Sequence, residues 1–187
     1  MGISKLDPRK GRFLLADPCL DEMHFSRSVI FLTEHGKEGS VGFVLNKEMD
    51  VSLSQAVPDF KGKNWPVYMG GPVGKNNMYY LHTLGADIPQ SLEIVPGIFF
   101  GGEYRVLREM ILDNVIGPGD VRFFIGYSGW SAGQLEREIA DESWIVTKMG
   151  GKHLFSFDTE DLWARILREL GGDYSIIANF PIDPSLN

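Results

Sequence analysis

The sequence predicts a single α/β domain built on a mixed β-sheet, and three observations carry that prediction. Runs such as Val29-Ile30-Phe31-Leu32 are apolar without alternation, as in strands covered on both faces. Segments 103–112 and 159–170 place apolar residues at helical spacing instead. The chain has 187 residues, 43% of them apolar, with no internal repeat, low-complexity segment or linker to divide it.

The elements follow in order. A first strand over 12–16 is stopped by Asp17-Pro18, and the second runs over 28–34. Gly36-Lys37-Glu38-Gly39 reads as a hairpin turn into a strand over 40–46. Ser52 is an N-cap for a short helix over 52–57, with Pro58 just beyond. Strands are expected at 65–69, ending in Gly70-Gly71-Pro72, at 78–82 and at 91–95. Val106, Leu107, Met110 and Ile111 form the buried stripe of a helix over 103–112. A strand over 121–127 leads into Ser131 and Gln134, a capping-box pair that opens the next helix. Segments 144–149 and 152–157 are expected to pair across Gly150-Gly151. The last helix, 159–170, is capped by Asp158 or Thr159, buries Leu162, Trp163, Ile166, Leu167 and Leu170, and ends at Gly171-Gly172. Residues 1–10 read as a mobile tail around a core of 11–170, and 173–187 as an extended C-terminal segment.

Composition bounds the function. The net charge is −7 and the pI is ≈ 5.1. That disfavours a protein whose affinity comes from neutralising phosphates, so direct DNA binding is not expected. Lys5, Arg9, Lys10 and Arg12 are the one local concentration of basic residues, read as a solvated tail. A lone cysteine, Cys19, excludes an intramolecular disulfide and a cysteine-built zinc site, and points to a reducing compartment. The N-terminus lacks the apolar centre of a signal peptide, and no apolar run approaches the length of a membrane helix, so a cytoplasmic chain is expected.

Several segments together resemble the YqgE/AlgH family of small bacterial proteins. They are Gly11-Arg12-Phe13-Leu14-Leu15-Ala16-Asp17-Pro18, Phe25-Ser26-Arg27-Ser28-Val29-Ile30, Glu34-His35, the glycine-to-asparagine strand 39–46, Gly70-Gly71-Pro72-Val73, Leu81-His82, and Gly126-Tyr127 through Trp130 to Gly133-Gln134-Leu135-Glu136. The resemblance covers about residues 11–170. It implies an α/β domain whose mixed sheet is partly barrel-like and flanked by helices. It implies no reaction, although some relatives carry a transcriptional-regulator label. Thr33 stands where many relatives are expected to have cysteine, so thiol chemistry at that position is not available here.

No catalytic set is complete. Gly126-Tyr127-Ser128-Gly129-Trp130 misses the last glycine of a nucleophile elbow, and only His153 follows it. Gly70-Gly71-Pro72-Val73-Gly74-Lys75 lacks the P-loop pattern and carries a proline without an N–H. His35 and His82 sit in no metal-ligand spacing, and His24 and His153 have less context still, so neither metal nor cofactor is expected. Asp113, Asp120, Glu136, Glu138, Asp141 and Glu142 read as solvated faces, Gln134 as a cap and Glu136 as a helix-dipole partner. Arg27 offers the planar fork that binds carboxylate or phosphate, or else satisfies internal carbonyls.

The expected function is a non-enzymatic binding or regulatory domain for a small molecule or a protein partner. Its cleft would be built from Arg27, Ser28, Glu34 and His35, with Asn46, Gly70, Gly71, Pro72, His82, Gly126, Tyr127, Trp130 and Gln134. An enzyme using Arg27, Glu34, His35 and His82 is the alternative, and a transcriptional regulator the second.

Overall fold

A computed structural model describes residues 6–20 and 24–180. Its centre is a ten-stranded mixed sheet in the order β10-β1-β2-β3-β9-β6-β8-β7, with β5 and then β4 attached beside β9. The strands are β1 (Phe13–Ala16), β2 (Val29–Gly36), β3 (Gly39–Val44), β4 (Glu48–Ser52), β5 (Pro66–Met69), β6 (Val73–His82), β7 (Leu92–Val95), β8 (Ile98–Phe100), β9 (Val121–Ser131) and β10 (Trp144–Thr147). The helices are α1 (Leu53–Ala56), α2 (Tyr104–Leu112), α3 (Gln134–Ala140), α4 (Leu162–Leu170) and α5 (Asp173–Ile177). All pairings are antiparallel except β5 with β9, which is what makes the sheet mixed. The sheet stays open: among the described residues β10 and β7 end it without meeting.

β9 joins two sheet halves. Its first part lies between β5 and β6, and its second part runs along β3. Side chains that alternate along the strands feed separate cores, as the unbroken apolar run of β2 requires. Val29 and Phe31 enter a core closed by α4, while Ile30 and Leu32 face Trp130, Leu135 and Trp144 beneath α3. A third cluster, with Leu53, Phe60 and Phe123, lies under α2, from which Leu107 and Ile111 point inward. α1 starts as expected, with Ser52 and Gln55 forming a reciprocal capping box.

Several expectations differ. β4 and β8 stand where no strand was expected. β9 continues past Tyr127 to Ser131, because Gly126, at φ +71°, bends the strand without ending it. Segment 152–157 does not pair with β10; a 3-10 turn, Gly151–His153, is followed by irregular chain. The Arg122 guanidinium takes the carbonyls that a strand partner would have taken, donating to Leu154 O at 2.5 Å and Ser156 O at 3.1 Å. Residues 173–177 are helical rather than extended, and α4 begins at Leu162, three residues later than expected. The expected extended run at 181–184 and residues 1–5 lie outside the described residues; within the N-terminal segment, Leu6 packs against the core beneath α3 and Lys10 donates to Glu93 O at 3.0 Å.

Candidate functional site

The structure distributes the residues singled out in the sequence among four places. The first is a cleft of ≈ 200 Å³ between the start of β2 and the start of α4. It is lined by Ser26, Arg27, Asn46, Lys47, Glu160, Asp161, Trp163 and Ala164. Arg27 adopts φ +50°, a conformation uncommon for a residue with a side chain. Asn46 spans it: the side-chain amide donates to Arg27 O at 2.9 Å, and its oxygen accepts Val29 N–H at 2.8 Å. A tight backbone bond, Ser28 N–H to Phe25 O at 2.9 Å, closes the same turn. The Arg27 guanidinium lies 4.9 Å above the Trp163 ring and donates to Phe180 O. Trp163 is itself fixed, its indole N–H reaching Ala16 O at 2.9 Å.

Lys47 completes the basic wall. Its ammonium donates to Ser26 O at 2.8 Å. Burial, and then the neighbouring Arg27 charge, hold the Lys47 pKa below its ordinary value. Two cations are thus held side by side, each raising the cost of the other. On the facing wall Asp161 is engaged by Arg168 at 2.7 Å, and Glu160 is exposed. Ser28 lies beneath the turn, fully buried, with its hydroxyl 3.4 Å from His24 O.

The second place is the far end of β2. Glu34 is exposed there, and His35 bonds Ser40 Oγ through Nδ1 at 2.8 Å, with Nε2 3.7 Å from Glu136. A bulge falls at Thr33, between Leu32 and Glu34, where the buried Thr33 hydroxyl donates to Val41 O at 3.3 Å. From α3, Glu138 accepts both indole N–H groups, from Trp130 and from Trp144, each at 2.8 Å. Its other oxygen accepts the Gln134 amide at 2.8 Å. The Gln134 carbonyl oxygen in turn accepts Ser131 N–H at 2.9 Å, but Ser131 ends β9 and Gly133, not Ser131, is the N-cap of α3, so only half of the expected capping box forms. Glu138 is therefore the anchor of an aromatic cluster with Phe25, not part of a solvated face.

The third place is a backbone crossing. Gly70 and Gly71, leading into Pro72 and β6, press against Gly126 and Tyr127. A Cβ on Gly70 would meet Gly126 O at 2.3 Å, and one on Gly71 would meet Tyr127 C at 2.3 Å. Ser128 Oγ donates to Gly70 O at 3.0 Å, which seals the crossing. These glycines bring chain to chain. Tyr127 turns into the core under α4 while Trp130 enters the other.

The fourth is His82, which is fully buried. Its Nε2 donates to Gly101 O at 3.0 Å and Nδ1 accepts Leu84 N–H at 3.2 Å, so its neutral form is held. Burial lowers its pKa, partly opposed by the Gly101 bond. Arg27 and His35 are eight residues apart in a chain that rises roughly 3.3 Å per residue. Arg27, Glu34, His35 and His82 do not converge. Among the described residues no group of three or more His, Cys, Asp and Glu has metal-binding geometry, and no helix is long and apolar enough to cross a membrane.

Sequence reasoning passed over Arg122 and Lys47, and misread Glu138 as part of a solvated face. Arg122 is buried; it donates to Leu45 O at 2.9 Å as well as to Leu154 and Ser156, and lies 3.8 Å over Tyr68. Desolvation lowers its pKa to about 10 against the opposing pull of Tyr68 and Glu48. The signal was present: a lone arginine inside the apolar run Val121-Arg122-Phe123-Phe124-Ile125.

An open mixed sheet flanked by helices defines a mixed α/β domain. The AlgH-like family model matches residues 13–175, and the chain belongs to that family. It is 41% identical over 179 residues to a UPF0301 protein of Chlorobaculum parvum, covering 96% of each chain. A UPF0301 protein of Bacteroides thetaiotaomicron is 36% identical over 181 residues, covering 96% of this chain and 92% of that one. The solution structure of AlgH from Pseudomonas aeruginosa superposes with a TM-score of 0.74 at 26% identity, covering 97% and 98% of the two chains. A crystal structure from Corynebacterium diphtheriae, at 21% identity and 95% coverage of both chains, shares the fold with a TM-score of 0.76.

Proposed function

We propose that this protein is a cytoplasmic, non-enzymatic binding domain whose Arg27–Lys47 cleft takes the anionic group of a small molecule or of a protein partner. The observation that supports the reading is the pairing of two cations at one concave site. Repulsion and desolvation make that arrangement unfavourable in the free protein, and an anion between them relieves both. The left-handed Arg27 backbone and its Asn46 brace fix the guanidinium over Trp163, which lowers the ordering cost of binding. Glu160 and Asp161 opposite favour a ligand that also presents hydrogen-bond donors.

A thermal-shift screen with inorganic phosphate, phosphorylated metabolites and small carboxylates tests the reading. A ligand at 100 times its dissociation constant stabilises by about 2.7 kcal/mol, which at 2–4 °C per kcal/mol is a shift of about 5–10 °C. Arg27→Ala is expected to abolish the shift while leaving the fold intact. An unchanged shift in that variant would remove Arg27 from the site.

A further inference from the structure

β4 is an edge strand with an irregular inner pairing. It contacts β5 at Glu48↔Tyr68 and Ser52↔Pro66 only, so Met49, Asp50 and Val51 lie opposite Val67 alone. Among the described residues no strand lies along its outer edge. Beside it runs a groove of ≈ 490 Å³ formed by the whole of β4 together with Gln55, Asn64, Trp65, Pro66 and Phe157. Its charged side chains are the exposed carboxylates of Glu48 and Asp50; its apolar ones include the half-buried Trp65 and the Phe157 ring, 54% exposed.

Charged residues and bulges on an edge strand protect against unwanted pairing, and Glu48 and Asp50 serve that end. Protection does not call for an exposed aromatic ring. Nor does it call for the bracing around this one. On one side of Phe157, Arg122 holds Ser156 O; on the other, Arg165 is paired with the Asp158 carboxylate and donates to Asp158 O at 2.8 Å. The chain fixes both neighbours of a phenylalanine and leaves the ring in solvent.

From this combination we infer that the β4 groove is a docking site for an extended, basic segment of a partner protein, added as a strand along Met49–Val51. Main-chain bonds to the free edge give register. Lysine or arginine side chains meet Glu48 and Asp50, and their stems or alternating apolar residues lie against Trp65 and Phe157. The charge of the groove disfavours nucleic acid. A second copy of this chain is equally disfavoured, because edge-to-edge pairing would bring like carboxylates together.

The site is separate from the Arg27–Lys47 cleft, and so is its test. Fluorescently labelled Lys-Val-Lys-Val-Lys-Val and Glu-Val-Glu-Val-Glu-Val are titrated by anisotropy, and amide exchange is followed with the basic peptide bound. The basic peptide is expected to bind and to slow exchange at Met49, Asp50 and Val51. Asp50→Lys turns an attraction into a repulsion and is expected to weaken binding by about tenfold; Phe157→Ser weakens it too. Both residues are exposed, and a melting curve confirms that each variant folds. Arg27→Ala and the remote reversal Asp141→Lys leave binding unchanged. The inference is overturned by any of four results: no binding, equal binding of the acidic peptide, equal loss in Asp141→Lys, or no protection at 49–51.

Discussion

Replacing Gly126 by alanine separates two readings of the glycines at the β5–β6–β9 crossing: room for a ligand, or room for the chain itself. Gly126 has φ +71°, and an added Cβ would lie 2.5 Å from Gly71 O and 2.8 Å from Val73 O. The left-handed conformation costs an L residue about 1–2 kcal/mol. Overlap with two backbone carbonyls adds about 1–3 kcal/mol, since neither can swing away as a side chain would. The total of about 2–5 kcal/mol corresponds to a melting temperature lower by roughly 4–20 °C for a domain of this size. Gly97 supplies the control: φ is +80°, and nothing lies within 4 Å of its added Cβ. Gly97→Ala therefore carries the backbone cost alone, roughly 2–8 °C. Differential scanning calorimetry of the two variants beside the wild type reads the difference directly. Equal losses, or a Gly126→Ala protein as stable as wild type, would refute the close-approach argument and return these glycines to candidacy as a ligand surface.

Two further perturbations probe buried polar groups. Glu138→Ala strands the indole N–H groups of Trp130 and Trp144, and should cost about 2 kcal/mol, or roughly 4–8 °C, with a weakened near-ultraviolet tryptophan signal; Glu138→Gln, which keeps one acceptor oxygen, should recover part of it. His82 has its pKa lowered by burial, so the unfolded chain binds the proton more readily than the folded one. Its contribution is intact above the ordinary value of about 6.5 and is lost as pH falls through it, until the lowered folded value is reached. Melting temperature should thus fall more steeply as pH drops below about 6.5 in the wild type than in His82→Gln; parallel curves would show that His82 does not titrate with unfolding.

Much of the fold was legible because local chemistry and tertiary context agree. The unbroken apolar run of β2 announces cover on both faces, and Ser52 with Pro58 beyond it announces α1. β4 escaped because Glu48, Asp50 and Ser52 are poor strand formers whose pairing is supplied by β5. β8 escaped because it is three residues long, directly after the Pro96-Gly97 turn. The strand expected at 152–157 failed for a non-local reason: a guanidinium thirty-two residues away in sequence satisfies Leu154 O. The candidate site was legible in Arg27 and Asn46 but not in Lys47, whose role depends on the turn that carries Ser26. Spacing along one strand places Arg27 and Glu34 at opposite ends, yet no sequence pattern shows that His82 is sealed behind Gly101 and Ser91.

The position of β9 in the chain has a consequence for biogenesis. This strand pairs with β3, β5 and β6, yet begins only at Val121 of 187 residues. Everything synthesised before it lacks the strand that pairs with β3, β5 and β6 together, so open edges and apolar faces persist through most of translation. The arrival of one segment then zips the halves together. Truncation upstream of residue 121 should therefore yield aggregates rather than a smaller stable domain, and folding of the whole should wait on a single late strand.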